Sequence, residues 1–558
     1  MSPAARRALG GLAGAAAMIA AITVLSRVLG LVRWMLQAHQ VGARDIGDAY
    51  NFANSLPNVL FEVAAGGALA GALVPVLAGP VARRALDERA RDEIERTVGA
   101  ALGWTLAVLV PLAALLALFS GPIAGLLARD HGAQQAELIR FFLLVFAVQV
   151  PMYGVAVLLY AVLQSHKRFF WPAFAPVMSS LTVIATYLVY GALAHGEQVD
   201  PARLDEAALP VLAWGTTLGV AAMCFPMLVP VRRLGLRLRL RWRFAPGVGR
   251  RLLALATAGI AGVAAQQLSV LVVIAVTSSA TGPYTTYLYA QQVYLLPYAV
   301  LVVPLATSTF PRLAARASTG DRQGFAGMAS STTRGVLVAA AVGAAAVVAA
   351  APAVATVFGA LGDDARVATG MAVTLTWMVP GLLGFAAMFH GSRALYALER
   401  SRAAVVANVA GWGTVAVAIP VLHALRLPSD DVLVSIGAGS TLGMLTGGTV
   451  ALVALRRAAG PAAVRGLPRT LVVLVVGGAL ASVAGRWVCD AVQELAGDGV
   501  ATAVGAGAGA ALLAAVVLGL GVLALDRRTL TEVLAVERTP VPAAAEAAGG
   551  EQADHPAG

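Results

Sequence analysis

Four charged side chains interrupt long apolar stretches near the beginning of the chain. They are Arg27, Arg33, Asp48 and Glu62. Charged groups inside apolar segments mark substrate sites or ion pathways, because burying a charge without such a role costs free energy. Two arginines could bind an anion, and two carboxylates could bind a proton or a cation. The pattern indicates a polar site that is enclosed by apolar elements.

The two arginines leave two arrangements open. Arg27 lies near the middle of its apolar stretch, so we expect it to face a water-filled cavity or to pair with Glu62. Arg33 follows six residues later, about 240° around an ideal helix. Both arginines share one cavity only if the helix bends, for example at Gly30. Otherwise Arg33 extends its side chain to the outer surface.

The acids and one glutamine also admit more than one interpretation. Asp48 either orients Arg33 or caps a helix. Glu62 is a proton or cation site, the partner of Arg27, or a protonated buried acid. Gln292 either lines the same cavity or joins neighbouring helices through hydrogen bonds. The predicted site therefore comprises Arg27, Arg33, Asp48, Glu62 and Gln292.

The elements that must position these residues are transmembrane helices. The chain has 558 residues, of which 59% are hydrophobic and 12% charged, whereas soluble domains carry about 25% charged residues. Apolar runs recur from residue 11 to residue 525, and each approaches the roughly 20 residues that cross a bilayer. They lack the strict alternation of barrel strands, so we expect an all-α polytopic membrane protein with about fourteen spans.

The charges of the loops predict how the spans are oriented. The predicted spans are 13–37, 50–79, 97–119, 138–163, 170–193, 208–231, 252–277, 284–311, 334–358, 368–396, 403–425, 431–455, 470–489 and 500–525. Arginine-rich loops alternate with acidic or arginine-poor loops, which places both termini in the cytoplasm. The net charge of +11 is thereby explained, and no nucleic-acid partner is expected. The second span is long and rich in proline and glycine, which predicts a broken or bent helix.

An internal repeat divides the spans into two groups. Residues 74–78 (VPVLA) resemble 310–314 (FPRLA), and residues 159–161 (LYA) match 395–397, both at an offset of 236. Parallel repeats of this kind occur in transporters whose substrate site lies between the halves; chance similarity in an Ala-, Leu- and Val-rich chain is the alternative. The predicted organisation is a cytoplasmic N-terminus (1–12), a six-helix N-lobe (13–231), a basic cytoplasmic linker (232–251), a six-helix C-lobe (252–455), two added helices (470–525) and a disordered cytoplasmic tail (527–558).

Enzyme, metal and cofactor motifs are missing from the sequence. It contains no Walker A motif, no His-Glu-x-x-His and no Gly-x-Ser-x-Gly. Its two cysteines, Cys224 and Cys489, have no metal-binding spacing. We therefore expect a transporter without a cofactor or a metal, driven by an ion gradient, the membrane potential or the substrate gradient.

Four short motifs carry a resemblance to a known family. They are SRVLGLVR at 26–33; DAY at 48–50 followed by LPN at 56–58, GAL at 67–69 and VP at 74–75; RFFWPAFAP at 168–176; and, more weakly, YALE at 396–399. These motifs resemble those of the MurJ (MviN) lipid II flippases, in the MOP flippase superfamily. The resemblance runs over most of the chain and is most specific in the first two helices and the PAFAP turn. It implies fourteen helices in a bacterial plasma membrane, with two six-helix lobes around a cationic cavity.

The resemblance also implies an activity. Members of this family move lipid II, an undecaprenyl-diphosphate-linked peptidoglycan precursor, to the outer leaflet by alternating access. By motif position, Arg27 and Arg33 correspond to the arginines of the family's first helix, and Asp48 to the acid that opens the second. Arginine binds phosphate oxygens in a forked geometry, which suits a diphosphate. The implied partners are lipid II or a similar polyprenyl-diphosphate glycolipid, membrane lipids and cell-wall synthesis proteins.

Several positions depart from the family pattern and keep other functions open. Phe61 and Glu62 stand where the family usually has arginine, Gln292 replaces an arginine of the eighth helix, and Gly66 replaces an acid. The seventh helix also has no obvious carboxylate for a cation site. The cavity is therefore expected to be less cationic than in relatives. The alternatives are a paralogous flippase for another lipid-linked glycan, a MATE-like exporter and a non-transporting cell-wall scaffold.

Overall fold

Helices dominate the part of the chain that the structure describes. The computed structural model describes residues 3–83, 88–197, 203–362, 364–429, 431–497, 499–529 and 531–532. The chain divides into two compact units, one of Met1–Tyr289 with Phe358–Val367 and one of Ala290–Val357 with Ala368–Gly558. The predicted all-α class is confirmed.

The first unit packs its helices around a buried apolar cluster. Its helices are α1 (Pro3–Gln40), α2 (Asp45–Phe61), α3 (Gly67–Arg83), α4 (Glu88–Leu118), α5 (Ser120–Leu127), α6 (Ala133–Phe146), α7 (Gln149–Ser165), α8 (Phe170–Ala194), α9 (Ala208–Cys224), α10 (Leu228–Arg233) and α11 (Val248–Thr277). The cluster includes Leu77, Val98, Leu159 and Met227. It joins α3, α4 and α7 to the segment that follows α9.

The second unit contains the remaining helices and packs several of them through glycine. Its helices are α13 (Val303–Ser318), α14 (Arg322–Gly362) as far as Val357, α15 (Ala365–Met378) from Ala368 onward, α16 (Gly381–Ala397), α17 (Ser401–Ala424), α18 (Val432–Ala459), α19 (Leu467–Ala496) and α20 (Val500–Leu525). The helix α12 (Pro283–Pro297) begins in the first unit and ends in the second. A Cβ atom added to Gly448 would lie 2.5 Å from the carbonyl oxygen of Gly384. Small residues of this kind let membrane helices approach closely.

The described helices cross a membrane many times. Twelve helices are long and apolar enough to do so. The count rises to thirteen spans if the consecutive helices α15 and α16, which are bent by 51° relative to each other, together form one span. Every predicted span coincides with a helix or with consecutive helices. The second predicted span, 50–79, corresponds to α2 and α3. The part Ala72–Arg83 of α3 is an apolar helix that is shorter than the twelve. The chain is a multi-pass membrane protein, and the count of fourteen spans stays a prediction.

Two π-helical turns stand at equivalent places in the internal repeat. Glu62–Gly66 separates α2 from α3, and Tyr298–Val302 separates α12 from α13. Their first residues are 236 positions apart, which is the offset of the sequence repeat. Because π-helical turns are rare, this coincidence argues against chance similarity. The first turn is also the break that the proline- and glycine-rich second span predicts.

The end of the chain is ordered further than the sequence suggests. After α20, Arg334 donates a hydrogen bond of 2.9 Å to Thr529 and forms an ion pair with Glu532. These contacts hold the segment against the second unit, because a largely buried guanidinium requires polar partners. The prediction of a disordered tail from residue 527 therefore does not hold at Thr529 and Glu532, and residues 533–558 lie outside the described residues.

Candidate functional site

Arg27 lies on an exposed face of α1, inside the apolar part of that helix. Glu62 is half-buried and opens the π-helical turn between α2 and α3. Among the described residues, no ion pair joins Arg27 to Glu62 or to another acid. The arrangement in which the two charges neutralise each other is therefore not the one that this structure adopts.

Arg33 lies against the ring of its neighbour in α1, Trp34. It is half-buried, and its guanidinium carbon is 5.7 Å from the centre of the Trp34 ring. A cation over an aromatic face is stabilised by the electron density of the ring. Among the described residues, an aromatic ring rather than an acid therefore contacts this arginine.

Asp48 caps a helix that is distant from it in sequence. The side chain is 1% exposed, and its carboxylate accepts hydrogen bonds from the backbone N–H of Gly282 and Thr285 and from the Thr285 hydroxyl. Both N–H groups belong to the beginning of α12, where backbone donors lack partners within the helix. Of the two predicted roles for Asp48, the structure shows helix capping, and the helix that it caps is α12. It does not orient Arg33.

A chain of buried hydrogen bonds extends from Asp48 into the unit. Asn51 donates to the Thr285 hydroxyl at 3.0 Å, and Gln37 donates to Asn51 at 3.0 Å. Tyr187 in turn donates to Gln37 at 3.4 Å. The network links α1, α2, α8 and α12, so the position of the α12 end depends on polar groups from three other helices. Buried polar groups of this kind are costly unless every one has a partner.

The connection between α1 and α2 holds a second segment in the same unit. Arg44 forms an ion pair of 3.1 Å with Asp364, and the His39 ring is 2.9 Å from the Leu361 carbonyl oxygen. Tyr289 donates to the Gly42 carbonyl at 3.2 Å. The segment between α14 and α15 and the first half of α12 are therefore both fastened to the turn after α1. Asp363, which neighbours this contact, lies outside the described residues.

The five predicted residues divide between the two units. Arg27, Arg33, Asp48 and Glu62 belong to the first unit, and the half-buried Gln292 belongs to the second. In the described part of the chain, no group of three or more His, Cys, Asp or Glu side chains is arranged to hold a metal ion. The predicted residues of the first unit thus make separate contacts, Arg33 with Trp34 and Asp48 with the beginning of α12.

Sequence reasoning missed Gln37, Asn51 and Thr285. Asn51 lies three residues after Asp48 and therefore on the same face of α2, which is a signal that the sequence contains. Gln37 is an uncharged polar residue near the end of an apolar run. Such residues are common in membrane helices, so that signal is weaker. Nothing local marks Thr285 as the partner of Asp48.

A family model decides where this chain belongs. The model, described as "Lipid II flippase MurJ", matches residues 37–502. The chain belongs to the MurJ family. The match includes Asp48, Glu62 and Gln292 and every described helix from α2 to α19, so the family likeness extends over most of the protein.

Curated relatives of the MurJ family are similar over part of their length. The probable lipid II flippase MurJ of Rhizobium meliloti (strain 1021) is 27% identical over 299 residues, which is 53% of this chain and 54% of that protein. The lipid II flippase MurJ of Burkholderia cenocepacia is 28% identical over 376 residues, 66% of this chain and 69% of that protein. The probable lipid II flippase MurJ of Haemophilus influenzae is 29% identical over 56% of its length. The chain thus spans about half the length of the first and third of these relatives.

Solved structures share the fold. A structure described as lipid II flippase MurJ in an inward closed conformation superposes with a TM-score of 0.66 at 17% identity, covering 92% of this chain and 99% of that one. A structure described as an inward-facing multidrug resistance MATE family transporter of the MOP superfamily superposes with a TM-score of 0.62 at 14% identity, covering 81% of this chain and 99% of that one. At these identities the likeness shows the fold alone.

Proposed function

We propose that this protein is a flippase that moves lipid II, an undecaprenyl-diphosphate-linked muropeptide, from the cytoplasmic to the outer leaflet of a bacterial plasma membrane. The observation that carries the proposal is Arg27, a cation on an apolar helix with no acidic partner among the described residues. An unpaired charge inside an apolar segment is costly, and a ligand of opposite charge would stabilise it. A diphosphate does so, and its oxygens match the fork of a guanidinium.

The Asp48 network supports an alternating-access cycle. Thr285 lies in the predicted C-lobe, whereas Asp48 and Arg44 lie in the predicted N-lobe. The predicted topology puts these contacts at the outer face. Hydrogen bonds and an ion pair can break and re-form, so they provide a releasable closure on that side. The cargo would then enter from the cytoplasmic side, and both termini would lie in the cytoplasm.

A flippase for another lipid-linked glycan is a second proposal. Glu62 and Gln292 stand where the family usually has arginine, and each substitution lowers the positive charge available to a diphosphate. A polyprenyl-diphosphate carrier with a different sugar would keep the recognition by Arg27 and change the contacts to the headgroup. Cell-wall synthesis proteins are proposed as partners in either case, because they consume such a lipid.

The test is complementation in a bacterium depleted of its own lipid II flippase. We expect the wild-type chain to restore lipid II at the outer surface, measured by an impermeant probe, and Arg27→Ala to restore little of it at equal abundance. The control is Arg129→Ala, which removes an exposed arginine from the loop between α5 and α6. An Arg27→Ala variant as active as wild type would remove the role of this arginine. A well-folded wild type without activity would instead favour another glycan or a scaffold.

A further inference from the structure

A cavity in the second unit lies between α17 and α18. Its volume is about 530 Å³, and it is lined by the first two turns of α17 and the last three turns of α18. Cavities of roughly 300–1,000 Å³ accommodate small ligands. Its walls include Ala403, Val406, Val453 and Ala454. None of these residues belongs to the site proposed for the cargo.

Positive charge is concentrated at one end of the cavity. Arg400, Arg402 and Arg457 line it, and no carboxylate does. Within the described ranges, none of these three guanidinium groups forms an ion pair. A neighbouring cavity shares Arg400 but is also lined by Asp321, so its charge is mixed. The cavity between α17 and α18 therefore offers three arginines to an anion, and arginine suits phosphate in particular.

Apart from Thr449, the rest of the cavity lining is apolar, and the cavity closes toward the middle of the helices. Val406 is 58% exposed and Val453 42% exposed, so apolar surface continues along the groove. Further along the pair, a Cβ atom on Gly447 would lie 2.9 Å from the Cα atom of Gly411. That close approach brings the two helices together, and the cavity lining begins two residues later, at Thr449. The shape is a groove with a cationic mouth and an apolar end.

We propose that this cavity binds an anionic phospholipid of the membrane. Its phosphate lies among Arg400, Arg402 and Arg457, and the beginning of one acyl chain lies along Val406 and Val453. The predicted topology places the three arginines at the cytoplasmic surface, where anionic headgroups attract basic residues. Charge complementarity argues for an acidic lipid, and the apolar groove argues for an amphiphile over a soluble phosphate.

The experiment is photolabelling of the full chain in vesicles. The vesicles are phosphatidylcholine with a small fraction of photoreactive phosphatidylglycerol, and the labelled peptides are mapped. We expect labelling to concentrate in residues 400–406 and 449–458. Replacing all three cavity arginines by glutamine should weaken it by about tenfold or more, because each charge-assisted hydrogen bond contributes to affinity. The control replaces three exposed arginines of the linker, Arg237, Arg239 and Arg243, by glutamine and should leave this labelling unchanged.

Three outcomes would overturn the proposal. The first is that photoreactive phosphatidylcholine at the same fraction labels these segments equally. The second is that the control variant loses as much labelling as the cavity variant. The third is that excess glycerol phosphate abolishes the labelling, which would assign the site to a soluble phosphate. If the triple variant fails to fold, Arg402→Gln alone should still give a partial loss. Labelling requires no flipping, so failure of the flippase proposal would leave this result intact.

Discussion

At the scale of single residues, Asp48 makes the most connected set of contacts in the predicted site. Its carboxylate accepts three hydrogen bonds from Gly282 and Thr285, and Asn51 shares the Thr285 hydroxyl. A negative charge at a helix N-terminus is also stabilised by the helix dipole. The residue therefore fixes where α12 begins. The contrast is Arg27, which has no acidic partner in the described part of the chain and remains available for a ligand.

Asp48→Ala should destabilise the protein. It leaves buried donors of α12 without a partner, and each such group costs about 1–3 kcal/mol. We expect a lower midpoint of thermal unfolding in detergent. The control is Asp45→Ala, because Asp45 lies in the same first turn of α2 and makes none of these side-chain bonds. Thr285→Val combined with Asp48→Ala should cost less than the sum of the single changes, since both remove one contact. Additive losses would contradict the assigned hydrogen bond.

At the scale of elements, close helix packing depends on where glycine stands. A Cβ atom added to Gly448 in α18 would lie only 2.5 Å from the carbonyl oxygen of Gly384 in α16. By contrast, a Cβ atom on Gly413 in α17 would meet nothing within 4 Å. The same residue type therefore has a packing role at one position and none at the other. The sequence shows both as glycine in an apolar helix.

Gly448→Ala and Gly413→Ala form a matched pair that tests this packing. Overpacking forces the backbone of α16 and α18 apart, so Gly448→Ala should destabilise the protein by about 1–3 kcal/mol. Gly413→Ala should be neutral or stabilising by up to about 1 kcal/mol, because alanine favours a helix more than glycine does. The measurement is the thermal unfolding midpoint of each purified variant. Equal midpoints for both variants would show that α16 and α18 are not in close contact.

At the scale of the whole molecule, the alternation of loop charge predicts the orientation in the membrane. The linker 232–251 contains eight arginines, and the loop between α5 and α6 is poor in basic residues. Arginine-rich short loops remain on the cytoplasmic side during insertion. Both termini are cytoplasmic only if the number of spans is even, so orientation and span count are tested together.

Cysteine labelling in intact cells checks this orientation. Cys224 and Cys489, which are both buried, are replaced by alanine, and a single cysteine is introduced at Arg129 or at Arg239. We expect an impermeant thiol reagent to label position 129 in intact cells and position 239 only after the membrane is opened. Labelling of position 239 in intact cells would reverse the predicted topology. Labelling of neither position after opening would show that the sites are buried.

Several structural features were predictable because they depend on local properties of the chain. A backbone in hydrocarbon must satisfy its own hydrogen bonds, so run length and the absence of alternation were enough to predict the helices. The break at Glu62 follows from nearby proline and glycine. The repeat offset of 236 reappears in the positions of the two π-helical turns. The order at Thr529 was missed because the partner, Arg334, lies about two hundred residues earlier.

The sequence by itself determined the class of the protein: an all-α, multi-pass membrane protein of a recognisable family, with unusual charges at Arg27, Arg33, Asp48 and Glu62. Only the tertiary structure decided which of those charges have partners. It assigned Asp48 to the beginning of α12 and left Arg27 without an acid among the described residues. The physical reason is that the hydrophobic pattern acts along one helix, whereas a hydrogen bond requires two groups within about 3 Å. That proximity depends on how helices distant in sequence pack.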